Sequence, residues 1–256
     1  MTRSARLVRD VCLGLALLAA AGCGGGSGSS TSSVSSSSQT PVDFDFGSNN
    51  PRKVTAFGDS ITEGVLELQR VSLRLTTGNN YPNLLQGRLQ GLDPAWRVVN
   101  RGRGGEHTGQ GVGRLPSTLA IDKPGYVLIL EGTNDAHQCY DKVAAVSNLQ
   151  NMVRIAKASK SIPILGTVPP SFRNNGCADE VIEFININLH GFAAAEHVVL
   201  AEIYEGMNDR SLFGISPDRD PLHPNEAGYA KMADIWFQAM QKAIPGGTTA
   251  ALRRRR

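Results

Sequence analysis

Ser60 sits in the run Val54-Thr55-Ala56-Phe57-Gly58-Asp59-Ser60-Ile61-Thr62-Glu63-Gly64, where a short apolar stretch gives way to a Gly-Asp-Ser turn and a polar segment. That pattern puts one hydroxyl at the tip of a buried strand. A bare serine is a weak nucleophile, so it needs a base, a group to orient the base, and donors for the oxyanion that forms on a carbonyl. Asp220-Pro221-Leu222-His223-Pro224-Asn225 supplies a carboxylate three residues before an imidazole, with prolines restricting the backbone between and after them. An aspartate beside a histidine fixes its tautomer and stabilises the imidazolium. The plainer reading is a helix-start loop in which Asp220 or Asn225 only caps.

Two further segments can offer donors. Asn100-Arg101-Gly102-Arg103-Gly104-Gly105-Glu106 clusters glycines whose N–H groups can approach a ligand closely. A phosphate cradle or a simple tight turn would read the same. In Glu131-Gly132-Thr133-Asn134-Asp135 the Asn134 amide can donate to a developing oxyanion, or it can form an Asx turn at a strand end.

Taken together the four pieces say more than each alone. Gly-Asp-Ser, Asn-x-Gly-x-x-Gly, Gly-x-Asn-Asp and Asp-x-x-His occur in this order, and the set resembles the SGNH hydrolases, also called GDSL-type lipases and esterases. The likeness runs from about Lys53 to about Met240. It implies Ser60 as nucleophile, His223 as general base and Asp220 as its orienting group. The implied oxyanion donors are the Ser60 and Gly105 amides and the Asn134 side chain. The resemblance also implies a flavodoxin-like three-layer αβα sandwich with five parallel strands in the order 2-1-3-4-5, and no cofactor or metal. Tyr81-Pro82 at the start of a helix fits the same family. The Val65 to Asn80 connection is longer than in its smallest members, and Arg101 and Arg103 make the glycine loop more basic, where a pocket wall would stand.

The elements that must position these residues are legible as a pattern. Apolar runs at Lys53–Phe57, Arg97–Asn100, Tyr126–Leu130, Ile162–Thr167 and Val198–Ala201 read as strands, and their continuous apolar character suits strands covered on both faces. Between them lie stripes at helical spacing: Val146, Leu149, Met152, Val153 and Ala156; Val181, Ile182, Ile185 and Leu189; and Ala227, Met232, Ile235, Trp236 and Met240. Strand–helix alternation predicts an α/β fold with a parallel sheet. Ligands of such sheets bind beyond the carboxyl ends of the strands, where the Ser60, Gly105 and Asn134 segments fall; His223 precedes the last helix.

Composition is that of an ordinary globular chain, 41% hydrophobic and 19% charged over 256 residues, enough for one core without staples. The ends are different. Arg3, Arg6 and Arg9 precede an apolar run from Val11 to Ala21 that is too short to span a bilayer and ends at Cys23. This resembles a bacterial lipoprotein signal, with lipidation at Cys23; ordinary signal cleavage is the alternative. The expected organisation is a signal over 1–22, a Gly/Ser-rich tether over 23–50, the hydrolase domain over 51–246 and a basic tail over 247–256. Loss of 1–22 removes three arginines and one aspartate, so the full-chain charge of +3 falls to +1. So small an excess gives no reason to expect a nucleic-acid partner.

Cys139 and Cys177 remain after Cys12 and Cys23 are assigned to the signal. In an oxidising compartment they pair or stay as two buried thiols. Each follows one of two successive predicted strands, which predicts a disulfide bracing the rim of the site. Two cysteines without a histidine at ligand spacing argue against a metal. Asp59 and Glu63 would repel a phosphate, and no dinucleotide fingerprint follows the first strand, so a flavin or nucleotide module is disfavoured. The function expected is a serine carboxylic-ester hydrolase acting on short-chain or acetyl esters, including carbohydrate or lipid esters. It would be exported and held to a membrane only by its lipid. An O-acyltransferase using the same triad, or a non-catalytic glycan-binding surface lipoprotein, are the alternatives. Neither the acyl chain length nor the oligomeric state is legible.

Overall fold

The computed structural model describes residues 44–69, 72–75, 78–173, 176–214 and 222–244. The expected signal, Cys23, the basic tail and Asp220 lie outside the described residues. Five strands form one parallel sheet: β1 (Asn50–Gly58), β4 (Arg97–Gly102), β5 (Pro124–Leu130), β6 (Ile162–Gly166) and β7 (Val199–Ala201). Their order across the sheet is β4-β1-β5-β6-β7. Counted among themselves in chain order, these strands stand as 2-1-3-4-5.

Strand alternation builds two cores from one sheet. Val54, Ala56, Tyr126, Leu128 and Leu130 face one side, where they meet α2 (Tyr81–Gln90) and α8 (Glu226–Ala243). Phe57, Val127 and Ile129 face the other, beneath α3 (Thr108–Asp122), α5 (Lys142–Ala158) and α6 (Ala178–Ala195). Both faces of β5 are buried along its whole length, which is why that run carries no polar alternation. The α5 and α6 stripes are buried as their spacing requires. In α8 the buried face is Tyr229, Met232, Ala233, Trp236 and Met240, whereas Ala227 is exposed. Phe46 packs on Tyr126 at 5.7 Å between ring centres, so contacts with the core begin ahead of β1.

The sequence reading left the Val65 to Asn80 connection without regular structure. It contains an antiparallel hairpin, β2 (Val65–Gln69) with β3 (Ser72–Leu75). The Tyr229 hydroxyl donates to the Val65 carbonyl at 2.7 Å, tying the hairpin's first residue to α8. Such a tether spans distant parts of the chain and leaves no local signal.

Candidate active site

Ser60 opens α1 (Ser60–Glu63), a single helical turn at the carboxyl end of β1. Asp59 caps it: one carboxylate oxygen accepts from the Ile61 amide at 2.9 Å. Gly64 ends it in the left-handed region, at φ 98°, where a side chain would be strained. As the first residue of the turn, Ser60 has an amide with no intrahelical acceptor.

His223 arrives from the other end of the chain. Its backbone is held from both sides, because the Gly214 amide donates to the His223 carbonyl at 3.0 Å and the Asn225 amide donates to the Leu212 carbonyl at 2.9 Å. Asn225 is the cap of α8, accepting from the Gly228 amide at 3.0 Å. Its side-chain amide donates back to Ser211 and Gly214. The capping role weighed for this loop therefore falls to Asn225. His223 is buried, and its Nε2 lies 2.9 Å from Ser60 Oγ.

The glycine loop follows β4. Asn100 binds its two neighbours together: its amide donates to the Thr62 and Glu63 carbonyls at 2.9 and 3.3 Å, while its oxygen accepts from the Gly102 amide. A Cβ on Gly102 would lie 2.0 Å from the Glu63 nitrogen, so only glycine allows the loop this close to the serine turn. Gly105 adopts φ 75° with open space around a would-be Cβ; here the constraint is backbone conformation, not crowding. The Gly104 amide donates to Glu63 Oε2 at 2.8 Å.

Asn134 lies in α4 (Thr133–His137), directly after β5. Its Nδ2 donates to the Glu106 carbonyl at 2.7 Å, which uses one of the two amide hydrogens and fixes the side chain beside the Glu106–His107 peptide. Next to it, Asp135 accepts from both the amide and the hydroxyl of Thr108, at 2.9 and 2.6 Å, joining α4 to the start of α3. Cys139 and Cys177 form a disulfide linking the segment after α4 to the start of α6.

Several side chains here went unmarked in the sequence. Glu106 is fully buried, and its two carboxylate oxygens share the single Arg114 Nε–H, at 2.9 and 2.8 Å. Asn100 and Asp135 were visible as letters of their motifs but not as the struts they are. Arg101, expected near a pocket wall, is committed to Asp122 instead, a partner also bound by Thr55. Arg103 is largely exposed. Tyr140 is exposed and stands edge-on to His107 with 5.0 Å between ring centres. Phe172 packs on Phe213. His190 and His197 both reach the surface.

Acidic groups crowd beneath this surface. Burial pushes Asp59 up to about 6, against the Ile61 amide and the nearby His223, which favour the charged form. Glu131 is 1% exposed and neither carboxylate oxygen has a hydrogen-bond partner. Burial, then the neighbouring Asp59, Glu106 and Asp135, hold it well above the usual carboxylate range, with Arg114 acting in the opposite sense.

The chain matches the GDSL-like lipase/acylhydrolase family over residues 56–231. It is 33% identical over 183 residues to the esterase TesA of Pseudomonas aeruginosa, spanning 70% of this chain and 83% of the relative. It is also 28% identical over 127 residues to an arylesterase of Vibrio mimicus, spanning 49% and 60% of the two chains. A lipase/acylhydrolase structure from Enterococcus faecalis shares the fold, with a TM-score of 0.63 at 24% identity over 76% of this chain and 98% of that one. A parallel sheet bearing a Gly-Asp-Ser turn, matched by a family profile across most of the described fold, leaves one assignment: this chain belongs to the GDSL-like lipase/acylhydrolase family and is an ester-hydrolysing enzyme.

Proposed function

We propose that the protein is a serine carboxylic-ester hydrolase working through Ser60 and His223. The observation that carries the reading is the 2.9 Å approach of Ser60 Oγ to His223 Nε2 across 163 residues of sequence. With Nδ1 carrying the proton, Nε2 accepts from the serine hydroxyl, and Asp220 is assigned the orienting role. The Ser60 oxygen attacks the ester carbonyl as its proton passes to Nε2. The carbonyl oxygen becomes an oxyanion, received by the Ser60 and Gly105 amides and by the second Asn134 amide hydrogen. Collapse of the intermediate expels the alcohol, which takes the proton from the imidazolium. Water then attacks the acyl-enzyme with the same base, releasing the acid and restoring the serine hydroxyl.

The substrates proposed are short-chain or acetyl esters, including those on carbohydrate or lipid. Support comes from the esterase and arylesterase relatives. For the intact chain the reading is export with a lipid on Cys23 and a Gly/Ser tether ahead of the domain. Among the described residues no helix is long and apolar enough to cross a membrane.

The test is Ser60→Ala against wild type on p-nitrophenyl esters of increasing chain length and on acetylated xylan. Wild type should release p-nitrophenol and carry a fluorophosphonate adduct on the Ser60 peptide. The alanine variant should do neither while keeping the same circular dichroism. Turnover that survives in Ser60→Ala would overturn the assignment.

A further inference from the structure

Arg114 is not part of any motif, yet its guanidinium touches three pieces of the site. Its Nε donates to both oxygens of Glu106, whose side chain is entirely buried. Its plane lies over the Phe57 ring at 4.0 Å, and Nη2 reaches the Gly58 carbonyl at 3.5 Å. Phe57 and Gly58 are the last residues of the strand that delivers Asp59 and Ser60. Glu106 in turn follows Gly105 directly, and its carbonyl is the acceptor that fixes Asn134. The Arg103 amide closes the loop by donating to the Gly58 carbonyl at 2.9 Å.

The surroundings make this pair hard to replace. A Cβ on Gly111 would sit 3.2 Å from a Glu106 oxygen and 3.3 Å from a Glu131 oxygen, so both carboxyl groups lie against one face of α3. Arg114 is the cation closest to them; the exposed Arg103 stands farther off, with Nε 3.9 Å from Glu106 Oε2. A guanidinium can hold a carboxylate through one N–H, reach a carbonyl through another and stack on an aromatic face at once, which an ammonium cannot.

We infer that the Arg114–Glu106 ion pair, buried at its carboxylate end, is a positioning device that sets the Gly105 and Asn134 donors in register with Ser60. This rests on the oxyanion-hole reading proposed above. Neither side chain meets the substrate. The pair acts by locking the Gly105–Glu106 peptide to the end of β1, and misplacement of reacting groups by about 1 Å costs on the order of 10²-fold in rate.

The experiment compares Arg114→Met, Arg114→Lys and Glu106→Gln with wild type, normalising kcat to active sites titrated with a fluorophosphonate. Glu106→Gln keeps the backbone carbonyl that holds Asn134, so any effect must travel through the loop's position. Expected is a fall in kcat of about 10²-fold for Arg114→Met with KM nearly unchanged, and partial recovery in Arg114→Lys. Affinity for a trifluoromethyl ketone, whose hydroxyl adduct forms an oxyanion at the same place, should fall in step with kcat/KM. A part played only in folding would lower the titrated fraction and the melting temperature but leave kcat per site at the wild-type value, and that result would overturn the inference. If Arg114→Met does not fold, the lysine and glutamine variants decide by the same readouts. Ser60→Ala separates the two proposals. If it stays active, the oxyanion-hole reading fails with this one; if it is dead while the Arg114 and Glu106 variants keep wild-type kcat, only the ion-pair inference fails.

Discussion

Asp59→Asn should make the protein more stable at neutral pH, and the gain should vanish in acid. Asp59 is 1% exposed. One of its oxygens caps α1 through the Ile61 amide; the other has no hydrogen-bond partner, and Thr133 favours its charge only weakly. Burial raises its pKa from 3.8 to about 6. The unfolded chain sheds this proton near 3.8, whereas the native state keeps it until about 6. Between those values the native state binds more protons, so stability falls as pH rises and the full penalty is present above about 6. Two pKa units and a little more correspond to a penalty on the order of 3 kcal/mol at pH 7. Asparagine caps a helix as well as aspartate does and carries no charge to desolvate. The asparagine variant should therefore gain on the order of 3 kcal/mol at pH 7, or roughly 6–12 °C in Tm for a domain of this size. Below about pH 4 it should match wild type. Urea melts of both proteins from pH 4 to 7, with unchanged m-values, measure the difference. Glu131 is also raised, and Asp59 is one cause, so relief of Glu131 adds to the gain with the same sign. An offset that is the same at pH 4 and pH 7, or a variant less stable at pH 7, would refute the reasoning. Activity should drop, because the carboxylate lies near enough to His223 to feel its charge. Stability given up next to a reacting group is a common trade.

Asn134→Ala removes one proposed oxyanion donor and should lower kcat on p-nitrophenyl acetate by about 10²–10³-fold with little change in KM. An unchanged kcat would remove Asn134 from the oxyanion hole. Cys139→Ser/Cys177→Ser opens a crosslink spanning 38 residues, and chain entropy sets its worth on the order of 4 kcal/mol. Urea denaturation with and without reductant should show that loss in wild type and no effect of reductant on the double variant.

The fold was legible where the physics is local. The strands were readable because β5 and the Val54–Gly58 half of β1 are covered on both faces, which makes β5 apolar without interruption and β1 mostly so. Their ends ran past the apolar stretch, to Asn50 and to Gly102, where polar residues pair in the ladder without adding hydrophobic signal. The hairpin β2–β3 escaped because the hydroxyl that ties it to α8 lies on Tyr229, 164 residues away. Among the site residues, Ser60, Gly105, Asn134 and His223 are named by the resemblance to the SGNH hydrolases, which the order of four short motifs carries. The sequence reading passed over Arg114 and Glu106. A buried ion pair between a loop and a helix has no period, and an arginine eight residues after a glutamate looks like any solvated pair.

By itself, then, the sequence determined which groups this protein has to offer and which edge of which sheet would present them, because strand periodicity, glycine dihedrals and helix caps are properties of neighbours along the chain. Only the tertiary structure decided that Ser60 and His223 meet at hydrogen-bonding distance, that Asn134 leans on Glu106, and that Arg114 reaches into a buried acidic cluster. Those facts depend on the order of strands and on how closely α3 and α8 pack against them, and distances across a packed core are fixed by all its residues together.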